Sequence, residues 1–410
     1  MKNPVESNLS NGIKLIHTPY PGGRVSHICL GLGIGSVNDP EGKEGLAHFF
    51  EHACFKGTGN RTPNKIFSAI ESNGGEINAY TQKDKITFEI SIPDEHLEKA
   101  LDVLADMVFN STFPDDKLEK EKQVILQELQ EQQGSEDDYI EVFHSCFFKG
   151  HPLGRPIIGT ESSVRSICRA DISHYVENNL DAQKVVLSVV SNVPAGLVEN
   201  LATKYFSTVP ILNSFLTSSK RIPMFDKYVP FSQREVSEGD NNAFVMIGFP
   251  VASSRSVSHW ACSLLLDELA GDFNGSRINR SLREKYALVY DCGLGYYSYG
   301  FNGVTTLSFS IDPQNIDTAL ELINNEVDQL SKGISNRKLA MCKKRMKGQL
   351  LLSNDDKQSV SVQIAEGYLD TGAFLPIEDK FCRIDMVNQY EIKRALGYFK
   401  PEKVSKLIYA

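Results

Sequence analysis

The stretch GLAHFFEHACF, residues 45–55, places two histidines and a glutamate among apolar side chains. If these residues form an α-helix, His52 lies one turn beyond His48 and about 40° round from it, and Glu51 lies on the same face. Two imidazoles at positions i and i+4 can reach one metal ion, and a carboxylate beside them can reach a water on that ion. The same pattern also fits a pair of hydrogen-bonded histidines without a metal, so its interpretation depends on the rest of the chain.

A second predicted helix supplies candidates for a further metal ligand. In PDDKLEKEKQVILQELQE, residues 114–131, Leu118 and Ile125 define an apolar stripe, and Glu121 and Glu128 lie at its edge, two turns apart. A carboxylate on a buried face is costly unless a cation or hydrogen-bond donors compensate its charge. Catalytic zinc sites use three protein ligands and one open position. The pattern therefore fits either a third ligand or two glutamates at the edge of the stripe that form ion pairs or extend their charged ends to solvent.

The two halves of the chain resemble each other. PDEHLEKALDVLADMV, residues 93–108, is similar to PQNIDTALELINNEV, residues 313–327, and the segment around Leu118 is similar to the segment around Leu339. The nearly constant offset between these pairs indicates a duplicated domain. Each copy begins with strand patterns and continues with amphipathic helices. We therefore predict an α+β fold with two homologous domains, each a mainly antiparallel mixed sheet covered by helices.

A segment rich in serine, proline and basic residues lies close to the middle of the chain, at residues 214–231. Such a composition predicts a linker. It would join an N-terminal domain, residues 1–213, which carries the candidate metal ligands, to a C-terminal domain, residues 232–410. The chain length of 410 residues also exceeds the usual size of a single domain, which favours two.

Composition and charge exclude several classes of protein. The formal net charge of −9 argues against nucleic acid as the main partner. The opening residues have no apolar run that would form a signal peptide, and no later stretch is apolar enough to span a bilayer. The eight cysteines have no paired spacing, which is typical of reduced thiols. We therefore expect a cytoplasmic protein that acts on neither nucleic acid nor membrane.

Three motifs together resemble a known family. HFFEH, followed further along the chain by EKQVILQELQE, resembles the inverted zinc motif of the pitrilysin/insulinase metallopeptidases. HFFEHACFKGT, GGEINAYT and ILQEL are similar in particular to the mitochondrial processing peptidase-like branch and its bacterial relatives. In the second half, LREKYALVY resembles the Arg/Tyr segment of that branch. The resemblance thus covers nearly the whole chain.

The resemblance implies a role for each residue that matches the motifs. His48, His52 and Glu128 would be the zinc ligands. Glu51 would be the general base, and Glu121 an accessory carboxylate behind the metal. In the second copy, the offset between Leu118 and Leu339 places a cysteine and a glutamine where the first copy has its two glutamates, and the two-histidine pattern is lost. One Zn²⁺ per chain is therefore expected.

The resemblance also implies residues that bind the substrate. Arg283 and Tyr290 would contact the peptide carbonyl near the scissile bond, and Asn78 and Ala79 would pair with the substrate backbone from an edge strand. Such pairing requires an extended peptide, because only an extended chain has its backbone donors and acceptors free. One departure from the family stands at Ala287, where relatives often have glycine.

The implied function is that of a zinc-dependent endopeptidase, in which a zinc-activated water attacks short or unfolded peptides with Glu51 as general base. By analogy with the family, this two-domain chain forms one half of a clamshell around a closed chamber. A homodimer is the simplest such assembly, and a heterodimer with an inactive homologue is the alternative. A non-catalytic assembly or partner subunit of the same fold is the main competing function. A purely structural zinc site is the other, although such a site does not require Glu51.

Overall fold

The computed structural model describes residues 4–209, 222–235 and 242–410. Its strands are β1 (Val5–Asn8), β2 (Lys14–Pro19), β3 (Val25–Leu32), β4 (Glu76–Thr81), β5 (Ile86–Pro93), β6 (Val185–Ser191), β7 (Ser232–Glu235), β8 (Ala243–Pro250), β9 (Gly293–Tyr299), β10 (Asn302–Ile311) and β11 (Ser405–Tyr409). Residues 214–221 of the predicted linker lie outside the described residues.

The α-helices alternate with the strands along the chain and do not simply follow them. They are α1 (Leu46–Cys54), α2 (Pro63–Glu71), α3 (Leu97–Phe109), α4 (Asp115–Gln132), α5 (Glu136–Phe147), α6 (Glu161–Ser166), α7 (Arg169–Asn179), α8 (Ala195–Phe206), α9 (His259–Ala270), α10 (Arg277–Asn279), α11 (Ile316–Ser331), α12 (Asn336–Ser353), α13 (Lys357–Thr371), α14 (Ile377–Met386) and α15 (Gln389–Ala395). Helices α1 and α2 lie between β3 and β4, and β6 follows α7. A π-helix, Arg280–Lys285, continues α10. Within the described residues, no helix combines the length and apolar character that crossing a bilayer requires.

The chain divides into two compact units. The first comprises residues 4–142, 150–209 and 353–376, and the second comprises residues 143–149, 222–235, 242–352 and 377–410. The segment 353–376, which contains α13, therefore packs within the first unit although it comes from the second half of the sequence. The predicted boundaries at residues 213 and 232 stay a prediction.

The first unit is built on a sheet with strand order β1-β2-β6-β3-β5-β4, in which β2 and β6 are parallel and the other neighbours antiparallel. The central strand β6, VVLSVVS, is buried along its whole length, as expected of a Val-rich strand covered on both faces. One face of the sheet packs against helices that include α1, α3 and α8. Against the other face lies α13, whose Val360 and Ile364 contact Cys29 and Val186 in one apolar cluster.

The second unit repeats this topology. Its sheet has the order β7-β11-β8-β10-β9, with β7 and β11 parallel and the remaining pairs antiparallel, which matches β2-β6-β3-β5-β4 of the first unit. Leu118 and Leu339 are both buried, and each lies in a helix of 18 residues. Phe143, which is fully buried, packs close to Gly248 of the central strand β8. The prediction of an α+β fold with two homologous domains is confirmed.

Candidate metal centre

The start of α1 is held by a buried carboxylate. Asp39 accepts hydrogen bonds from the backbone N–H groups of Gly45 and Ala47, each at 2.9 Å. These amides belong to the first turn, where a helix offers them no internal partner. Gly45 has a φ of 93°, and a Cβ at this position would lie 2.5 Å from the carbonyl oxygen of Ile158. The chain therefore requires glycine here, and the entry into α1 is fixed on two sides.

The helix then separates its apolar and ionisable side chains as predicted. Phe49 and Phe50 are fully buried in the core, whereas His48, Glu51 and His52 lie on another face. The two imidazole rings meet edge to face, with 4.5 Å between their centroids. Spacings of three and four residues place side chains side by side on a helix, which is what the sequence pattern predicts.

Helix α4 brings Glu128 to the two histidines. The Nε2 atom of His48 lies 3.6 Å from Oε1 of Glu128, and the Nε2 atom of His52 lies 3.6 Å from Oε2 of the same carboxylate. One ligand atom from each of the three residues lies within 4.8 Å of the other two. The structure thus brings together the three residues that the family resemblance implies as metal ligands.

The arrangement of these three residues fits a zinc ion. A separation of 3.6 Å is too long for a hydrogen bond. It is close to the distance of about 3.3–3.4 Å between two ligands of a tetrahedral ion with bonds of about 2.0–2.1 Å. Two imidazole nitrogens and one carboxylate form a donor set that catalytic zinc sites use, with a fourth position left open. Burial, with a smaller contribution from His52, lowers the pKa of His48 to about 3, which keeps this imidazole in the neutral form that a ligand requires.

A hydrogen-bonded chain fixes the second histidine. Nδ1 of His52 lies 2.8 Å from Oε1 of Glu121, and Nζ of Lys56 lies 2.6 Å from the other oxygen of Glu121. Burial alone would raise the pKa of Glu121, but the hydrogen bonds from His52 and Lys56 lower it. The carboxylate therefore holds the Nδ1 proton of His52 and turns Nε2 toward Glu128. Nδ1 of His48, in contrast, is buried and has no hydrogen-bond partner among the described residues.

Glu51 lies beside the three candidate ligands and is itself buried, with 7% of its surface exposed. Burial raises the pKa of its carboxyl group, while the nearby His52 and a hydrogen bond from Thr81 oppose the rise without cancelling it. A buried carboxylate with a raised pKa is a suitable proton acceptor near neutral pH. Its role as general base stays a prediction, and sequence reasoning missed its contact with Thr81.

Strand β4, which carries Asn78 and Ala79, forms one edge of the first sheet. It pairs with β5 in antiparallel register and has no second neighbour among the described residues. The side chain of Asn78 is exposed, and Ala79 packs against the core beneath the strand. The strand can therefore accept a further extended chain along its free edge.

The second unit contains Arg283 and Tyr290. Arg283 lies in the π-helix Arg280–Lys285, and its guanidinium carbon is 5.4 Å from the ring centroid of Tyr290. Tyr290 is 87% exposed. Between the two residues, Ala287 adopts a φ of 51°, a left-handed conformation that favours glycine. The structure therefore brings Arg283 and Tyr290 together, and places the departure from the family at a turn between them.

In the second unit, charged pairs stand where the first unit has its candidate ligands. Asp267 and Glu268 of α9 face α12, and Arg345 lies 2.7 Å from Asp267 and 3.4 Å from Glu268. Lys338 lies 2.8 Å from Glu268, and the thiol of Cys342 lies 3.6 Å from it. These cationic side chains compensate the buried acids without a metal ion. Among the described residues, the one group with a metal-ligand arrangement is that of the first unit.

Two family models match parts of this chain. The model of Insulinase (Peptidase family M16) matches residues 15–161, and that of Peptidase M16 inactive domain matches residues 166–346. An uncharacterized zinc protease of Rickettsia felis is 28% identical over 378 residues, which cover 91% of this chain and 89% of the relative.

A probable mitochondrial-processing peptidase subunit beta of Arabidopsis thaliana is 27% identical over 412 residues, covering 97% of this chain and 76% of the relative. The crystal structure of a protease from Helicobacter pylori has the same fold, with a TM-score of 0.87 at 20% identity over 99% of each chain. Two models of one family thus match consecutive parts of this sequence. The chain belongs to peptidase family M16.

Proposed function

We propose that this protein is a zinc-dependent endopeptidase that hydrolyses short or unfolded peptides. The observation that carries the proposal is that His48, His52 and Glu128 converge around one point. Glu51 is buried beside them and is not one of the three candidate ligands. A structural metal site has no need of this additional buried carboxylate. Relatives that are named zinc proteases support both the metal and the class of reaction.

His48, His52 and Glu128 would hold one Zn²⁺ in the first unit. When bound, zinc supplies a Lewis acid that polarises the peptide carbonyl and acidifies the attacking water. Glu51 would take the proton of that water, with Oε1 as the oxygen to which the Thr81 hydroxyl does not donate. It then returns the proton to the leaving amine, as a general base and acid in turn. Glu121 keeps His52 in the tautomer that directs Nε2 toward Glu128.

The substrate would bind as an added strand. An extended peptide pairs with the free edge of β4 beside Asn78 and Ala79, which restricts cleavage to chains whose backbone is not already hydrogen-bonded. Arg283 and Tyr290 would contact the peptide carbonyl and stabilise the charge that develops on its oxygen. This accounts for a guanidinium and a phenol held at the surface of the second unit.

The assembly that we propose is a homodimer of two such chains, which close like a clamshell around a chamber. In that arrangement Arg283 and Tyr290 serve the zinc of the partner chain. A heterodimer with an inactive homologue is the alternative, and the relative from Arabidopsis thaliana, which is named as a subunit beta, supports an assembly of more than one chain. A cytoplasmic location stays a prediction.

The test is cleavage of a mixed library of quenched peptides by zinc-loaded protein. Wild-type protein should cleave, and Glu51→Gln should bind zinc but lose nearly all activity, by a factor of at least about 10². Glu119→Gln is a matched control, because Glu119 lies on the exposed side of α4, with 69% of its side chain accessible. Stoichiometric zinc without cleavage of any peptide would instead favour a non-catalytic partner subunit.

A further inference from the structure

Successive side chains of strand β4 point to opposite faces of the sheet, and its last residue, Thr81, contacts Glu51 beside the candidate metal centre. Ile77 and Ala79 pack against the core on the side where α1 lies. Thr81 follows in the same alternation, and its hydroxyl donates a hydrogen bond of 3.1 Å to Oε2 of Glu51. We propose that Thr81 is the residue that positions the general base Glu51, an inference that rests on the function proposed above.

The position of Thr81 is itself tightly determined. Its neighbours Tyr80 and Gln82 point to the opposite side of the strand, where both donate hydrogen bonds to Oε1 of Glu366, at 3.1 Å and 3.0 Å. Glu366 belongs to α13, which packs on the outer face of the first sheet. The backbone N–H of Gln82 also donates to the carbonyl oxygen of Lys85 at 2.7 Å and closes the hairpin. The hydroxyl of Thr81 is therefore presented to Glu51 from a strand end that is anchored on both sides.

Glu51 needs such a partner because its side chain is flexible and largely hidden from water. Within the described part of the chain, the hydroxyl of Thr81 provides the one hydrogen bond that Glu51 accepts. The bond occupies Oε2, fixes the plane of the carboxylate and leaves Oε1 available for the proton. Without it the carboxylate would be free to rotate about its side-chain bonds, because no other hydrogen bond to it is present in the described part of the chain. Partners that orient the ligands of a metal site typically contribute about tenfold to a hundredfold in affinity or activity, and we expect an effect of similar size for the partner of the general base.

The edge of the same strand is the one that we propose for substrate binding. Strand β4 would therefore both bind the peptide and position the general base. A peptide bound along β4 would lie on a strand whose end holds the general base. Thr81 acts through Glu51 and not on the peptide, which separates its effect from that of the edge. Loss of its hydroxyl should therefore lower kcat and leave KM within about twofold of the wild-type value.

The experiment compares Thr81→Val, which keeps the shape and removes the hydroxyl, with Thr81→Ser, which keeps the hydroxyl. We expect kcat to fall by about 10- to 100-fold in the valine variant and to return to within about threefold of wild type in the serine variant, with one zinc per chain in both. Thr18→Val is the matched control. Thr18 lies buried in β2 of the same sheet, and its hydroxyl has no hydrogen-bond partner among the described residues.

Several results would overturn the inference. An unchanged kcat in Thr81→Val would exclude a positioning role, and a rise in KM alone would assign Thr81 to peptide binding. A serine variant as impaired as the valine variant would show that retaining the hydroxyl does not preserve activity, and would contradict a role of its hydrogen bond. If Thr81→Val does not fold, Thr81→Ala provides the variant without a hydroxyl. A wild-type protein that cleaves no peptide would refute the proposed function itself. An active wild-type protein together with a Thr81→Val variant of unchanged kcat would refute only this inference.

Discussion

Ala287 holds the chain in a left-handed turn directly after the π-helix Arg280–Lys285, with a φ of 51°. Its N–H donates to the carbonyl oxygen of Arg283 at 3.1 Å, and the N–H of Leu288 donates to that of Leu282 at 2.8 Å. These bonds terminate the helix in the manner of a C-terminal cap, where glycine is the usual residue. Because the turn separates the helix that carries Arg283 from Tyr290, its geometry determines how the two side chains meet.

Replacing Ala287 by glycine should therefore stabilise the second unit. The left-handed conformation costs a residue with a Cβ about 1–2 kcal/mol. Glycine removes this cost but increases the conformational entropy of the unfolded chain, which lowers the free energy of unfolding by about 0.4–1 kcal/mol. The side chain of Ala287 is exposed, so its removal leaves no cavity. We expect a net gain of about 0.5–1 kcal/mol in the free energy of unfolding, and a rise in Tm of about 1–4 °C.

The single tryptophan of the chain offers a local probe for this measurement. Trp260 lies in α9 and packs against the core of the second unit, so its fluorescence reports unfolding of that unit in urea and on heating. Ala340→Gly is the matched control, because Ala340 is exposed within α12 and glycine in a helix interior costs about 1 kcal/mol. The same substitution should therefore have opposite signs at the two positions. A loss of stability in Ala287→Gly equal to that in Ala340→Gly would refute the strained turn.

Three further predictions concern the first unit and the assembly. Glu121→Gln should weaken zinc binding by about 10- to 100-fold in competition with a chelator, because the charge that holds His52 is lost; Glu119→Gln on the same helix should change it little. Burial would raise the pKa of Asp106, but hydrogen bonds that include one from Arg61 lower it below the ordinary 3.8. The stability that this carboxylate contributes is thus present above pH 3.8 and lost as the pH falls, so Asp106→Asn should flatten the acid limb of a plot of Tm against pH. Mixing inactive Glu51→Gln with inactive Arg283→Ala should restore activity if sites are shared between two chains, whereas no recovery would contradict shared sites.

Local patterns predicted much of the fold because they reflect local physics. The spacing of His48, Glu51 and His52 predicts one helix face, and the apolar stripe of α4 predicts that Glu121 is turned inward, where it is 5% exposed. Strand β4 begins and ends at the residues of the EINAYT motif. The duplication was also predictable, because similar segments recur at a nearly constant offset, and the two sheets share a strand order.

Contacts between elements that are distant in the sequence could not be predicted from local patterns. No periodicity in the sequence indicates that α13 covers the first sheet, because an amphipathic helix specifies that it packs but not on which sheet. The bond between Thr81 and Glu51 joins residues 30 positions apart, and the alternation of β4 predicts only the side to which Thr81 points. The capping of α1 by Asp39 was missed because Asp39 does not occupy the N-cap position. It lies before the turn that precedes the helix, six and eight residues from the amides that it accepts from.

The most direct test of the account is anomalous diffraction at the zinc absorption edge from crystals of the full chain grown with zinc. We predict one strong peak per chain, about 2.0–2.2 Å from Nε2 of His48, Nε2 of His52 and a carboxylate oxygen of Glu128, with Glu51 outside bonding distance. A crystal without a peak between α1 and α4, or with zinc bound by a different set of side chains, would contradict the central claim.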